Sequence, residues 1–262
     1  VPRYHSFMSW NRPALLVFAA VQLAAQPPGT YVVRGARIVP VSGPVLNRGT
    51  VVIRNGLIES VGESVAIPAG AWVIEGNGFT VYPGLIDALS TWGMPARGGV
   101  INAGPPAKGP EDRPLNSSWV KAADQIAPAD RSIQAAREAG FTTAVVFPSG
   151  NIFSGQGSVI DLAGDRAGQM VIADSVGQFV TLRTSGGRGF PSSLLGSIAY
   201  VRQVYLDAGH YQAARSIYEK HPEGLPRPAY DRALEGVLAS RLVLLPAERR
   251  LRLSACWRWP GI

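Results

Sequence analysis

A chain of 262 residues with 46% hydrophobic and 16% charged residues carries enough apolar side chain to bury a core, in one large domain or two smaller ones, which excludes a disordered protein. Thirty glycines and 21 prolines demand many turns, yet they follow no collagen-like period and form no long low-complexity run. The formal charge of +7 is spread thinly apart from Arg249, Arg250, Arg252 and Arg258, and no aromatic-basic motif accompanies it, so it describes a mildly basic surface and no nucleic-acid partner.

Residues 1–26 read as a secretory signal. Arg3 and Arg12 supply positive charge, Pro13 to Ala25 form a short apolar stretch, and Ala24 and Ala25 precede a cleavage region at Gln26-Pro27-Pro28. That stretch is shorter than the roughly 20 residues a membrane-spanning helix needs, so the expectation is a cleaved signal, no stable membrane span afterwards, and a periplasmic or extracellular protein. Cys256 is the single cysteine, which excludes an intrachain disulfide and a cysteine zinc cluster.

From residue 27 to 80 the sequence reads as a small all-β unit. Tyr31-Val32-Val33-Arg34 and Ala36-Arg37-Ile38-Val39 are β-branched runs separated by Gly35. Val51 to Arg54 and Leu57 to Val61 flank Asn55-Gly56, the pair best suited to the two positive-φ positions of a type I′ hairpin. Ala71 to Glu75 and Phe79 to Tyr82 continue the pattern after turns at Pro68-Ala69-Gly70 and Gly76-Asn77-Gly78.

The texture changes at Val81, where Val81 to Ala88 reads as a buried strand leading to a loop, followed by a Pro/Gly-rich covering stretch from Pro95 to Pro114. Residues 128–139 predict a helix with Pro128 in its first turn and Gly140 as its stop. Phe141 to Phe147 is the next strand, and strand-helix-strand opens a parallel α/β architecture. Short strands are expected at Val159 to Leu162 and Met170 to Ala173. A helix capped by Ser192 or Ser193, with Leu194, Ile198, Val201 and Tyr205 on one face, should end at Gly209. A second helix covers about His210 to Lys220, a third begins near Pro228, and Leu242 to Leu245 is a further strand.

Two stretches carry a family resemblance. Arg54-Asn55-Gly56-Leu57-Ile58 followed by Tyr82-Pro83-Gly84-Leu85-Ile86-Asp87-Ala88 is similar to the amidohydrolase superfamily, above all to imidazolonepropionase-like exported members. Ala136 to Thr143, running into Ser149-Gly150-Asn151 and Gly155-Gln156-Gly157, resembles the second barrel strand and its loop in the same group. The resemblance implies an α/β fold: a partial (β/α)₈ TIM-type barrel over residues 81–245, preceded by part of a composite β-sandwich at 27–80 and followed by an aberrant basic tail at 246–262. It also implies metal-dependent hydrolysis of carbon–nitrogen bonds, other than peptide bonds, in small or cyclic amides.

Active members follow this Pro-Gly-Leu-Ile-Asp-Ala segment with His-x-His. Alternate residues leaving a strand end point the same way, so two imidazoles converge on one zinc or similar divalent ion, which acidifies a bound water. Here those positions hold Leu89 and Thr91. Leucine has no donor atom and a lone threonine hydroxyl is a weak zinc ligand, so no metal or other cofactor is expected in this chain. Asp87 and Gln156 are the remaining catalytic candidates. Asp87 could orient a ligand or bond neighbouring backbone N–H groups; Gly155-Gln156-Gly157 could be a loop at the barrel mouth or a tight turn. His210 and His221 fall on no predicted strand end, and Ser185-Gly186-Gly187-Arg188-Gly189 fails every phosphate-loop pattern. A barrel typically takes about 250 residues, so a truncated or frame-shifted terminus is one expectation and a natural short terminus the other. Three functions stay open: an amidohydrolase, a non-catalytic relative that binds a small molecule or joins a homo- or hetero-oligomer with an active paralogue, and a fragment with unpaired strand edges.

Overall fold

The computed structural model describes residues 29–95, 113, 115–184 and 190–246. The expected export signal, most of the Pro95 to Pro114 stretch, the glycine run at 185–189, Cys256 and the tail beyond Pro246 lie outside the described residues. The fold is mixed α/β and divides into two units at Pro83/Gly84.

The first unit is a five-stranded sheet. It contains β1 (Thr30–Ile38), β2 (Leu46–Arg54), β3 (Leu57–Gly62), β4 (Trp72–Glu75) and β5 (Thr80–Val81), ordered β3-β2-β1-β4 with β5 beside the end of β1. Asn55 and Gly56 take φ of 51° and 80° and join β2 to β3 as the sequence predicted. The two short runs expected around Gly35 are one strand instead. A register shift between Arg34 and Ala36 absorbs Gly35 as a bulge, so pairing with β2 continues on both sides. Val32, Ala36, Ile38, Val51 and Val52 are buried, while Leu57, Ile58, Trp72, Ile74 and Phe79 are exposed.

The second unit holds a five-stranded mixed sheet ordered β10-β9-β8-β7-β6. Its strands are β6 (Leu85–Ser90), β7 (Phe141–Val146), β8 (Phe153–Asp161), β9 (Val171–Val180) and β10 (Val243–Leu244). β6 pairs parallel with β7 and β10 parallel with β9, but β8 runs antiparallel between β7 and β9. The short strand expected at Val159 is thus the end of a nine-residue reversed strand, and the purely parallel reading is corrected. Four strands still share one direction. β6 is also not buried as expected: it is the outermost strand, and Leu85, Ile86 and Leu89 are exposed.

Two apolar clusters hold this unit. Ile133, Ala136, Ala144, Val146, Ile160 and Met170 pack the helix α1 (Arg131–Glu138) against β7 and β8. Phe153, Val180, Val201, Val204, Leu234 and Val237 pack α3 (Leu194–Lys220) and α4 (Arg232–Leu238) against β8 and β9. A four-residue helix, α2 (Ala167–Met170), leads into β9. The helix expected to stop at Gly209 runs on for 27 residues. Gly209 keeps a helical backbone because Val201, Val204, Ala208 and Tyr211 are buried along one side and outweigh the roughly 1 kcal/mol a mid-helix glycine costs.

α1 starts at Asp130 rather than at Pro128. The Asp130 carboxylate accepts the Ser132 N–H at 2.8 Å and the Ser132 hydroxyl at 2.6 Å, satisfying a donor that the first turn would leave open. The Ser132 hydroxyl first, and its N–H second, hold the Asp130 carboxyl below the usual aspartate range. Asp130→Ala should therefore lower unfolding free energy by about 1 kcal/mol near neutral pH in urea denaturation. A depressed folded pKa gives stability that is present above the ordinary aspartate range and lost as pH falls through the depressed value. The two proteins should converge in stability at strongly acidic pH.

Candidate functional site

The residues singled out by sequence gather at two places in the second unit, and no hydrogen bond joins them among the described residues. The first is the end of β6. Its pairing with β7 slips between Asp87 and Ser90, which face Ala144 and Val146, so one extra residue stands in β6. Asp87 stabilises that bulge: its Oδ1 accepts the Leu89 N–H at 3.0 Å. Of the two roles open to Asp87, this geometry displays the backbone-bonding one. Ser90 Oγ accepts the Trp92 N–H at 3.1 Å and the Ser90 carbonyl accepts the Phe147 N–H at 2.9 Å, anchoring the strand end to β7.

Beyond Ser90 the chain turns back. Met94 N–H donates to the Thr91 carbonyl at 3.0 Å, and Gly93 N–H donates to Ser132 Oγ at 3.1 Å on α1. Trp92 meets Phe141 edge-on at 5.0 Å between ring centroids. The stretch at 89–91 therefore has a fixed backbone, while the Leu89 and Thr91 side chains are exposed. The donor set does not suit a divalent ion: one carboxylate oxygen is already engaged, the next side chain is aliphatic, and the third is a single hydroxyl. Among the described residues no group of three or more His, Cys, Asp or Glu side chains is placed to hold a metal. His210 lies exposed on α3 and His221 caps its C-terminal end.

The second place is Gln156. Gly155-Gln156-Gly157 is neither a mouth loop nor a tight turn; it is the middle of β8, and Gln156 is 4% exposed. Both flanking glycines answer to crowding. A Cβ on Gly155 would lie 2.4 Å from the Val120 carbonyl oxygen, and one on Gly157 would lie 2.1 Å from the Phe147 ring. The Gln156 amide nitrogen reaches the carbonyls of Ser118 at 3.1 Å and Gly236 at 2.9 Å, and Gln178 Oε1 at 3.1 Å. Its Oε1 accepts the hydroxyls of Ser175, at 2.9 Å, and Ser240. Gln178 is fully buried and donates to the Gly155 carbonyl at 3.2 Å. One carboxamide thus joins β8, β9, α4 and the segment around Ser118. α4 comes this close because Gly236 has no side chain; a Cβ there would meet the Trp119 nitrogen at 2.5 Å.

Two features escaped the sequence reading. A cavity of about 480 Å³ lies where β9 and β10 end, with Thr181, Arg183 and Thr184 among its lining residues. A larger one, about 860 Å³, lies between α3 and α4 and is lined by Tyr211, Arg215, Tyr218, Arg227, Tyr230 and Glu235, among others. The signal for the second was present at Tyr211, Arg215 and Tyr218, spaced four and three apart on one helix face. That spacing alone did not reveal the groove, because nothing local brings Arg227, Tyr230 and Glu235 against the same face. No helix among the described residues is long and apolar enough to cross a membrane.

A solved structure shares this architecture. The structure of an amidohydrolase from Thermotoga maritima MSB8 superposes with a TM-score of 0.67 at 22% identity, over 87% of this chain and 61% of that chain. This chain thus spans less than two thirds of that neighbour's length. A putative prolidase from Bifidobacterium longum matches a much shorter part, 26% of this chain and 17% of that one, at 33% identity and a TM-score of 0.23. No protein-family model and no curated protein sequence matches the chain. The superposition with the Thermotoga protein shows that the chain shares the fold of that protein over most of its own length.

The Gln156 geometry yields a direct test. Gln156→Ala leaves several buried carbonyls and hydroxyls without partners, so urea denaturation should show a loss on the order of 3 kcal/mol. Asp87→Ala, at the edge strand, should cost well under half of that.

Proposed function

We propose that the second unit is the opening part of a (β/α)₈-type barrel, that the first is part of a β-sandwich, and that the chain is a catalytically silent relative of metal-dependent amidohydrolases. The family chemistry implied is hydrolysis of carbon–nitrogen bonds, other than peptide bonds, in small or cyclic amides. The observation that carries the reading is the identity of residues 89 and 91. The bulged end of β6, pinned by Asp87, keeps the backbone where the family resemblance puts its paired histidines, and that backbone presents Leu89 and Thr91. In active relatives the metal supplies an activated water. The end of β6 offers a metal a hydroxyl and a carboxylate already bonded to a backbone N–H, a donor set that would leave hydrolysis without its nucleophile.

One structural feature favours the reading as a non-catalytic partner over that of a lone enzyme. Among the described residues β6 pairs only with β7, and Leu85, Ile86 and Leu89 are 54%, 68% and 48% exposed. An apolar outer strand with open backbone groups is a template for another chain, and an active paralogue is the partner this reading supplies. Export to the periplasm or cell exterior, resting on residues 1–26, belongs to the same proposal.

The test is metal content and hydrolysis in the purified full chain, after exposure to excess zinc and desalting. The natural chain should retain far less than one zinc per chain and should not hydrolyse hydantoin or dihydrouracil above the uncatalysed rate. The double variant Leu89→His/Thr91→His should bind zinc about tenfold or more tightly than the natural chain, since it restores two imidazole donors. Stoichiometric zinc in the natural chain, with hydrolysis abolished by chelation, overturns the proposal.

A further inference from the structure

The cavity of about 860 Å³ between α3 and α4 has the size of a small-molecule site, and its lining includes two arginines, two glutamates and three tyrosines, of which some are already paired with one another. Tyr211, Arg215 and Tyr218 come from one face of α3, Arg227 and Tyr230 from the extended segment before α4, and Glu235 from α4 itself. The Glu235 carboxylate is already satisfied. Glu235 Oε1 accepts the Tyr211 hydroxyl at 2.8 Å and is ion-paired with Arg215. The Arg215 guanidinium also lies 5.7 Å from the centroid of the Tyr211 ring, so these three side chains are a closed set of mutual contacts.

Other lining residues are different. Arg227 has no ion pair or hydrogen bond among the described residues, and Tyr218 and Tyr230 have no ring or hydrogen-bond partner there. What faces the cavity unspent is therefore a guanidinium fork, two phenol rings and two phenol hydroxyls. The Glu219 carboxylate at the rim is 67% exposed and lies 3.7 Å from Arg215, where water screens it.

A ligand that uses this set must bring acceptor oxygens for Arg227 and a flat face for the tyrosine rings. Guanidinium groups match a carboxylate through two parallel hydrogen bonds, and aromatic rings stack on one another at offset or edge geometry. A quaternary ammonium ion would also favour tyrosine faces, but the guanidinium of Arg227, which has no carboxylate partner among the described residues, repels it. We infer that the groove between α3 and α4 binds a small aromatic carboxylate, anchored through Arg227 and stacked on Tyr218 and Tyr230. This site is separate from the end of β6, so it stands or falls independently of the metal question.

The test uses the full chain and three probes: 2-naphthoate, its neutral amide, and phenyltrimethylammonium, with binding followed by calorimetry. The naphthoate should bind saturably at one site, and the other two probes should bind at least about tenfold more weakly. Arg227→Gln should weaken naphthoate binding about tenfold, and Tyr230→Ala about fivefold. Both side chains are exposed, so an unchanged thermal melt should accompany the loss. Leu89→Ala, far from the groove in sequence and on another element, should leave affinity unchanged. Equal affinity for acid and amide, preference for the ammonium probe, no saturable naphthoate binding, or full affinity in Arg227→Gln would each overturn the assignment.

Discussion

The interior of the second unit depends on one requirement: a buried carboxamide must find partners for every polar atom it takes out of water. Gln156 meets that requirement by reaching into four parts of the chain at once, the Ser118 segment, β9, α4 and the stretch after α4 at Ser240. Buried polar networks are costly when incomplete and highly specifying when complete. The network explains why a reversed strand can sit in the middle of the sheet. β8 is held by its ladders and also by a side chain that reads the position of α4 and β9. The glycines on either side of Gln156, and Gly236 opposite, let the backbones close in far enough for those bonds to form.

The edge of the same sheet obeys a different rule. At β6 the hydrogen-bonding capacity is met locally, by Asp87 with Leu89 N–H and by Ser90 with Trp92 N–H and Phe147 N–H. A bulge at a strand end re-aims the side chains that follow it, and this one is pinned on both sides. In the reading proposed above, this pinned strand end is the scaffold for two side chains, and Leu89 and Thr91 stand where a cation would need imidazoles. The fold itself is shared with the Thermotoga amidohydrolase.

Much of the architecture was legible because it is local. Asn55-Gly56 announces its hairpin through the φ values it tolerates, and Ser193 and Gly140 mark a helix start and a helix stop through capping. What was not legible was long-range. The Gly155-Gln156-Gly157 run looks like a loop because glycine usually marks one, whereas here its cause is the approach of Val120 and the Phe147 ring from elsewhere in the chain. The direction of β8 is likewise set by tertiary pairing and leaves no periodic trace. Gly209 misled for the opposite reason: a local stop signal was overridden by buried residues before and after it on α3. At the candidate site, the identities of Leu89 and Thr91 were plain in the sequence, but the Asp87 bulge, the exposure of β6 and the tyrosine-arginine groove required coordinates.

The central claim concerns one strand end, and diffraction can address it there. Crystals of the full chain grown in excess zinc should be measured on both sides of the zinc absorption edge. The account predicts no anomalous peak within zinc bonding distance, roughly 2.0–2.3 Å, of any side chain from Asp87 to Thr91. An ordered zinc at that strand end, coordinated by Asp87 or Thr91 together with other donors of the same chain, would contradict it.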